Sequence, residues 1–92
     1  MSGSSEVWER RTVVLPATVD LHARPAGRLV RAAAGQDARI VLRSNGRQAD
    51  ASSILQVLAL GATGGTELTL SASGDDAAEA VEGLAELIAR LT

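Results

Sequence analysis

The feature that most restricts this chain is a change of hydrophobic period across Leu21-His22-Ala23-Arg24-Pro25-Ala26. Before it, Val13, Leu15, Ala17 and Val19 alternate with Thr12, Val14, Pro16 and Thr18, the spacing of a half-buried strand over Thr12 to Val19. Pro16 has no N–H to give to a ladder, so this strand is expected at a sheet edge. After the change, Ala26, Leu29, Val30 and Ala33 recur at the three- and four-residue steps of an amphipathic helix. Pro25 belongs in that helix's first turn, where the N–H it lacks would have no intrahelical partner. Gly35 supplies a stop, so the helix is predicted over 23–34. Arg24, Arg28 and Arg31 then share its solvent side.

The same two periods organise the remainder of the chain. Ala38, Ile40 and Leu42 alternate with Arg39, Val41 and Arg43 as a second strand. Asn45-Gly46 accepts the positive φ angles of a tight hairpin and turns the chain into a short polar strand over Arg47 to Asp50. Ser53 is a good N-cap for the run Ile54-Leu55-Gln56-Val57-Leu58-Ala59-Leu60, predicted as a helix over 54–60 and ended by Gly61. Its apolar residues go almost all round, more than one buried face needs, so part of Ile54, Leu55 and Leu58 is expected at the surface. Gly61 to Gly65 form a loop, and Thr66 to Ala72 alternate as a fourth strand. Ser73-Gly74-Asp75 opens a last helix carrying Ala77, Val81, Leu84, Ile88 and Leu91. Asp75, Asp76 and Glu79 suit the positive end of its dipole, and Arg90 the negative end. The order β-α-β-β-α-β-α predicts an α+β open-faced sandwich, a four-stranded antiparallel sheet with three helices on one face.

A chain of 92 residues allows one domain. Residues 1–11, small, polar and of mixed charge, read as a flexible extension, and 12–92 as the domain. Trp8 either packs on the domain's edge or faces solvent. Without cysteine there is no disulfide or thiolate site, and one histidine without a carboxylate cluster argues against a bound metal or cofactor. Hydrophobic residues are 46% of the chain and aromatics 1%, so the core must be aliphatic and no stacking platform for single-stranded nucleic acid exists. A net charge of −2 argues against a nucleic-acid or anionic-membrane partner. The charge is unevenly spread, with Arg24, Arg28 and Arg31 after the histidine and five acids between Asp75 and Glu86. No apolar run approaches the ~20 residues of a membrane span, and Met1 to Ser5 lack the marks of a secretory leader. A soluble cytoplasmic protein is the expectation.

The chemistry then rests on His22. A histidine where a strand gives way to a helix is a candidate nucleophile, because the free N–H groups of a first turn can receive the anion that the imidazole picks up. Histidine is also the side chain that ordinarily titrates near neutral pH, which leaves a neutral ring nitrogen free to act as a nucleophile. The blander readings are an incidental surface histidine and a solvated arginine.

The order of elements, the box Leu21-His22-Ala23-Arg24-Pro25-Ala26, then Ser44-Asn45-Gly46, Ser53 before an apolar helix, and Leu60-Gly61 with Gly64-Gly65 together resemble the HPr family, the histidine-containing phosphocarriers of the bacterial phosphotransferase system. The resemblance runs from about residue 12 to the C-terminus. It implies that His22 carries a phosphoryl group on Nδ1 and that Arg24 neutralises it, with the phosphate over the amides of Ala23 and Arg24, where dipole and N–H groups together contribute roughly 0.3–2 kcal/mol and the guanidinium adds a charge-assisted contact. It further implies that enzyme I, itself charged by phosphoenolpyruvate, is the donor and that sugar-specific IIA components are the acceptors. Such a protein is a phosphocarrier, expected as a monomer, and not an autonomous enzyme. An HPr-like regulatory module of a nitrogen-related branch, signalling through its phosphorylation state to a transcriptional regulator or kinase, is the alternative.

The family's regulatory serine maps to Ser53, where a serine kinase and phosphatase would act; Ser52 and Gln56 depart from the residues usual around it. Ile54, Leu55 and Leu58 are either core or a docking patch for partners. Arg28 and Arg31 are either part of that docking surface or merely the polar side of the first helix. Asp20 stands where the family usually has glycine, two residues before the histidine, and its carboxylate either repels the phosphate or holds the imidazole.

Overall fold

The computed structural model describes residues 8–91. Its elements are β1 (Trp8–Val14), α1 (Ala23–Ala34), β2 (Arg39–Ser44), β3 (Arg47–Asp50), α2 (Ile54–Ala59), β4 (Glu67–Ser73) and α3 (Ala77–Ala89). The strands form one antiparallel sheet in the order β1-β4-β2-β3. The three helices pack against one side of it, so the predicted open-faced sandwich is the fold.

Register decides which side chains the helices cover. Val13 lies opposite Leu68, Arg11 opposite Leu70, and Leu70 opposite Leu42, whose other neighbour is Ala49. Because side chains alternate across a strand, these face the helices, and Leu42, Leu68, Leu70 and Ala49 are buried. Arg11, on the same face of the edge strand, reaches α3 and pairs with Glu82. Leu29 of α1, Val57 of α2 and Leu84 and Ile88 of α3 close the core from above. It is aliphatic throughout, as composition required.

The β2–β3 hairpin turns through Asn45 at φ 53° and Gly46 at φ 78°. Both angles are left-handed, the requirement of the two-residue turn that Asn-Gly predicts. The helix α1 runs over the expected residues, with Ala26, Leu29 and Ala33 buried. Gly35 ends it at φ −81°, within the right-handed region, so its stop does not draw on glycine's freedom.

Some boundaries differ from expectation. The first strand, expected over Thr12 to Val19, occupies Trp8–Val14 instead. Trp8 to Arg11, expected in the flexible extension, are therefore strand residues paired with Ser73 to Leu70, and Trp8 is half-buried on the sheet; residues 1–7 lie outside the described residues. The charged run Glu9-Arg10-Arg11 hid the strand, yet charge suits an edge that must not recruit further strands. β1 is at the edge, but Pro16 lies past its end, where Val19 N–H closes a turn on Pro16 O at 2.9 Å. Leu15 and Val19 are buried while Ala17 is exposed, so the alternation outlasts the strand.

The fourth strand is displaced by one residue from the predicted Thr66 to Ala72, and α2 ends at Ala59 with Leu60 as its cap. The last helix begins at Ala77 rather than at Ser73-Gly74-Asp75. Asp75 and Asp76 form a turn before it, which leaves Glu79 as the acid in its first turn. Asp76 accepts from the Asp37 N–H at 3.2 Å instead of capping its own helix.

Candidate functional site around His22

His22 occupies the N-cap position of α1, with extended backbone (φ −99°, ψ −164°) and a side chain that makes no capping bond. Leu21 before it is 3% exposed and Ala26 after it is fully buried, while His22, Ala23 and Arg24 are exposed. The imidazole is thus displayed between two anchors. The His22 backbone N–H donates back to Asp20 O at 2.9 Å, and the His22 carbonyl accepts the first intrahelical bond from Ala26 N–H at 2.9 Å. Pro25 brings no N–H. Among the described residues the amides of Ala23 and Arg24 have no hydrogen-bond partner, the two donors that a helix start leaves for an anion.

The segment leading to His22 is held by the loop after α2. Leu15 donates to Thr66 O at 3.0 Å and accepts from Gly65 N–H at 3.0 Å, and Leu21 donates to Ala62 O at 2.9 Å. Gly64 leaves no room for a side chain, since a Cβ there would sit 2.1 Å from Ala17 O. Asp20 resolves in a way that neither alternative foresaw: its Oδ1 accepts the Gly64 N–H at 2.9 Å, and it makes no bond to the imidazole. The glycines of this loop were recognised in the sequence as a spacing; that they clamp the histidine segment was not, because no local pattern announces a contact 44 residues away.

Helix α2 lies beside this bracket, since its C-terminal residues lead directly into the loop, and it packs on α1. Ser53 caps it, with Oγ accepting the Gln56 N–H at 3.3 Å. Leu55 is 77% exposed, Ile54 38% and Leu58 36%, while Val57 is fully buried. The reading of Ile54, Leu55 and Leu58 as core therefore fails, since all three lie at the surface. Arg47 donates to Ala59 O at 3.1 Å and satisfies the other end of the helix, a role unseen in the sequence.

Asp50 supports the turn into α2, accepting both the Ser52 hydroxyl at 2.7 Å and the Ser52 N–H at 2.9 Å. Those bonds, the side-chain one first, hold its carboxyl below the ordinary 3.8, against a desolvation effect and with help from Arg39. Arg24, Arg28 and Arg31 are all exposed on α1 and, among the described residues, none is paired with a carboxylate. A hollow of about 500 Å³ between the end of α1 and the β2–β3 edge is lined by Ala33, Ile40, Ala49 and Gln56 among others, and by neither His22 nor Arg24. Among the described residues no cluster of metal-ligating side chains occurs, and no helix is long and apolar enough to cross a membrane.

A family model described as the PTS HPr component phosphorylation site matches residues 9–90. The chain belongs to the HPr family of phosphocarrier proteins. It is 42% identical over 81 residues to the phosphocarrier protein HPr of Vibrio cholerae, covering 88% of this chain and 95% of that one. It is 40% identical over the same length and shares to the HPr of Haemophilus influenzae. The crystal structure of HPr from Bacillus anthracis superposes with a TM-score of 0.84 at 31% identity, covering 88% of this chain and 96% of that one. An HPr-family protein is a phosphocarrier and not an autonomous enzyme.

Proposed function

We propose that His22 is the residue that carries the phosphoryl group, taking it from phospho-enzyme I in the cytoplasm and handing it to IIA components of the sugar phosphotransferase system. The observation that carries this reading is the exposed, unbonded imidazole at the start of α1, beside the unpartnered amides of Ala23 and Arg24.

In the transfer, the lone pair of the unprotonated Nδ1 forms a bond to phosphorus as the donor's bond to phosphorus breaks, and the donor keeps that electron pair. Nε2 retains its proton. The phosphoryl oxygens then face the Ala23 and Arg24 N–H groups, and the Arg24 guanidinium neutralises part of their charge. Handing on the group reverses these movements, so the site must hold phosphate weakly. Two amides and one flexible arginine at a solvated surface meet that condition, whereas a closed pocket would not.

Ile54, Leu55 and Leu58, with Arg28 and Arg31 on the adjoining helix, form the surface on which donor and acceptor dock. Phosphorylation of Ser53 would place a charge of about −1.5 to −2 at the edge of that patch and disfavour docking while favouring the helix start.

Incubation with phosphoenolpyruvate and enzyme I tests the reading. The expected product carries acid-labile, base-stable phosphate that is absent from His22→Ala. Unmodified wild-type protein would refute it. Addition of purified IIA proteins separates a transport carrier, which discharges to them, from a signalling module, which does not.

A further inference from the structure

The bracket between residues 15–21 and 61–66 contains three backbone bonds and one side-chain bond, and the side-chain bond belongs to Asp20, two residues before the histidine. Asp20 is exposed, yet both ends of it are committed. Its Oδ1 accepts the Gly64 N–H, and its carbonyl accepts the His22 N–H, each at 2.9 Å. One residue therefore links the Gly61–Gly65 loop to the backbone of the phosphoryl-accepting histidine.

The surroundings make that link restrictive. Between the Leu15 and Leu21 bonds the chain bulges out as the Pro16–Val19 turn, and Gly64 lies directly against it, with no space for a Cβ next to Ala17. Leu21 is buried, so it cannot follow a rotation of Asp20. Such a rotation would swing His22 N–H off the Asp20 carbonyl and turn the imidazole relative to the Ala23 and Arg24 amides.

We propose that Asp20 is a positioning residue for phosphoryl transfer, whose bond to the Gly64 N–H fixes the height and direction of His22. This rests on His22 being the phosphoryl carrier. The carboxylate acts as a hydrogen-bond acceptor, and its charge is incidental to the role. A reacting atom displaced by ~1 Å costs up to about a hundredfold in rate, so loss of the bond is expected to slow transfer by about ten- to a hundredfold.

Asp20→Asn and Asp20→Ala separate bond from charge, because an asparagine Oδ1 accepts the same N–H. The first readout is amide hydrogen exchange at Gly64, which needs no phosphate. Exchange at Gly64 should accelerate in Asp20→Ala and stay near wild type in Asp20→Asn. The second is the rate of transfer from the phosphorylated protein to an acceptor. Asp20→Ala should lower the rate at saturating acceptor with KM unchanged, and Asp20→Asn should restore it.

Three outcomes overturn the proposal: Gly64 exchange unaltered in Asp20→Ala, transfer unaltered despite faster exchange, or Asp20→Asn as slow as Asp20→Ala while Gly64 stays protected. The last would assign the effect to charge. Wild-type protein that takes up no phosphate fails the carrier reading itself, an outcome distinct from these because the exchange measurement is independent of it. Both variants should melt near the wild-type temperature, because the side chain is exposed.

Discussion

The segment that bears His22 and the helix α2 lie side by side and are built on opposite terms. The first is irregular backbone held at Leu15, Asp20 and Leu21 by hydrogen bonds to the 61–66 loop, and it displays one polar ring. The second is six residues of regular helix that bury little beyond Val57 and show three aliphatic side chains to solvent. A helix so short has little stability of its own; it persists through its Ser53 cap, the Arg47 bond at its end and the packing of Val57. The contrast separates two tasks. Chemistry needs a ring fixed to within fractions of an ångström, whereas recognition of more than one partner needs apolar surface that can repack.

If that division holds, substitutions in the two regions fail differently. His22→Ala has the largest expected effect: no acid-labile phosphate is retained, while thermal melting changes little because the ring is exposed and bonds to nothing. Acid-labile phosphate retained by this variant would have to sit on another nitrogen, such as an arginine guanidinium, since no histidine is left, and would remove His22 from the chemistry. Leu55→Asp is expected to raise the KM for enzyme I by about ten- to a hundredfold, the scale of a docking hot spot of about 2 kcal/mol or more, with stability within ~0.5 kcal/mol. A fall in the rate at saturating enzyme I instead of a rise in KM would place Leu55 in catalysis and erase the division. Arg24→Ala lies between the two regions in kind. Loss of one charge-assisted bond, about 1.5–3 kcal/mol in the loaded state and less at a solvated surface, should slow transfer by about tenfold and leave docking alone.

How legible these regions were in the sequence depends on what holds them. α2 was readable because its determinants are local: a serine, an apolar run and a glycine in one short stretch from Ser53 to Gly61. Its excess of apolar positions even foretold the exposed patch. His22 was readable for the same reason, set at a change of period beside a proline. The bracket was not, because its partners are far apart in the chain, Asp20 and Gly64 by 44 residues, and three of its bonds are backbone bonds that any side chain could accompany. Asp20 stood out only as a departure from a family pattern, and the sequence posed its role as a choice between repelling phosphate and binding imidazole. β1 was misplaced by the converse error. Its Glu9-Arg10-Arg11 start carries no apolar alternation, since an edge strand is specified by its ladder to β4 and by one ion pair to α3, while the alternating Leu15 and Val19 bury their side chains from outside the sheet.

The smallest effect concerns the turn into α2 and tests whether the patch depends on charge at its base. The Asp50 carboxyl is held below its ordinary 3.8 by the two Ser52 bonds, so its charged form is favoured in the folded state. A carboxylate whose folded value is depressed adds stability at pH values above its unfolded value, and that contribution is lost as pH falls through the folded value. Wild type and Asp50→Asn should therefore differ most in melting temperature at neutral pH, and the two should converge as pH is lowered below the ordinary 3.8. The difference should be modest, because the group is solvated and its bonds are exposed. The same acid titration followed at Ile54 and Leu55 by NMR distinguishes two sources of order in α2. Chemical shifts there that move with Asp50 would mean that the patch is organised from its N-terminal turn. Shifts that stay fixed until global unfolding would mean that Val57 packing alone holds it, and α2 would then be independent of pH over the range in which the carrier works.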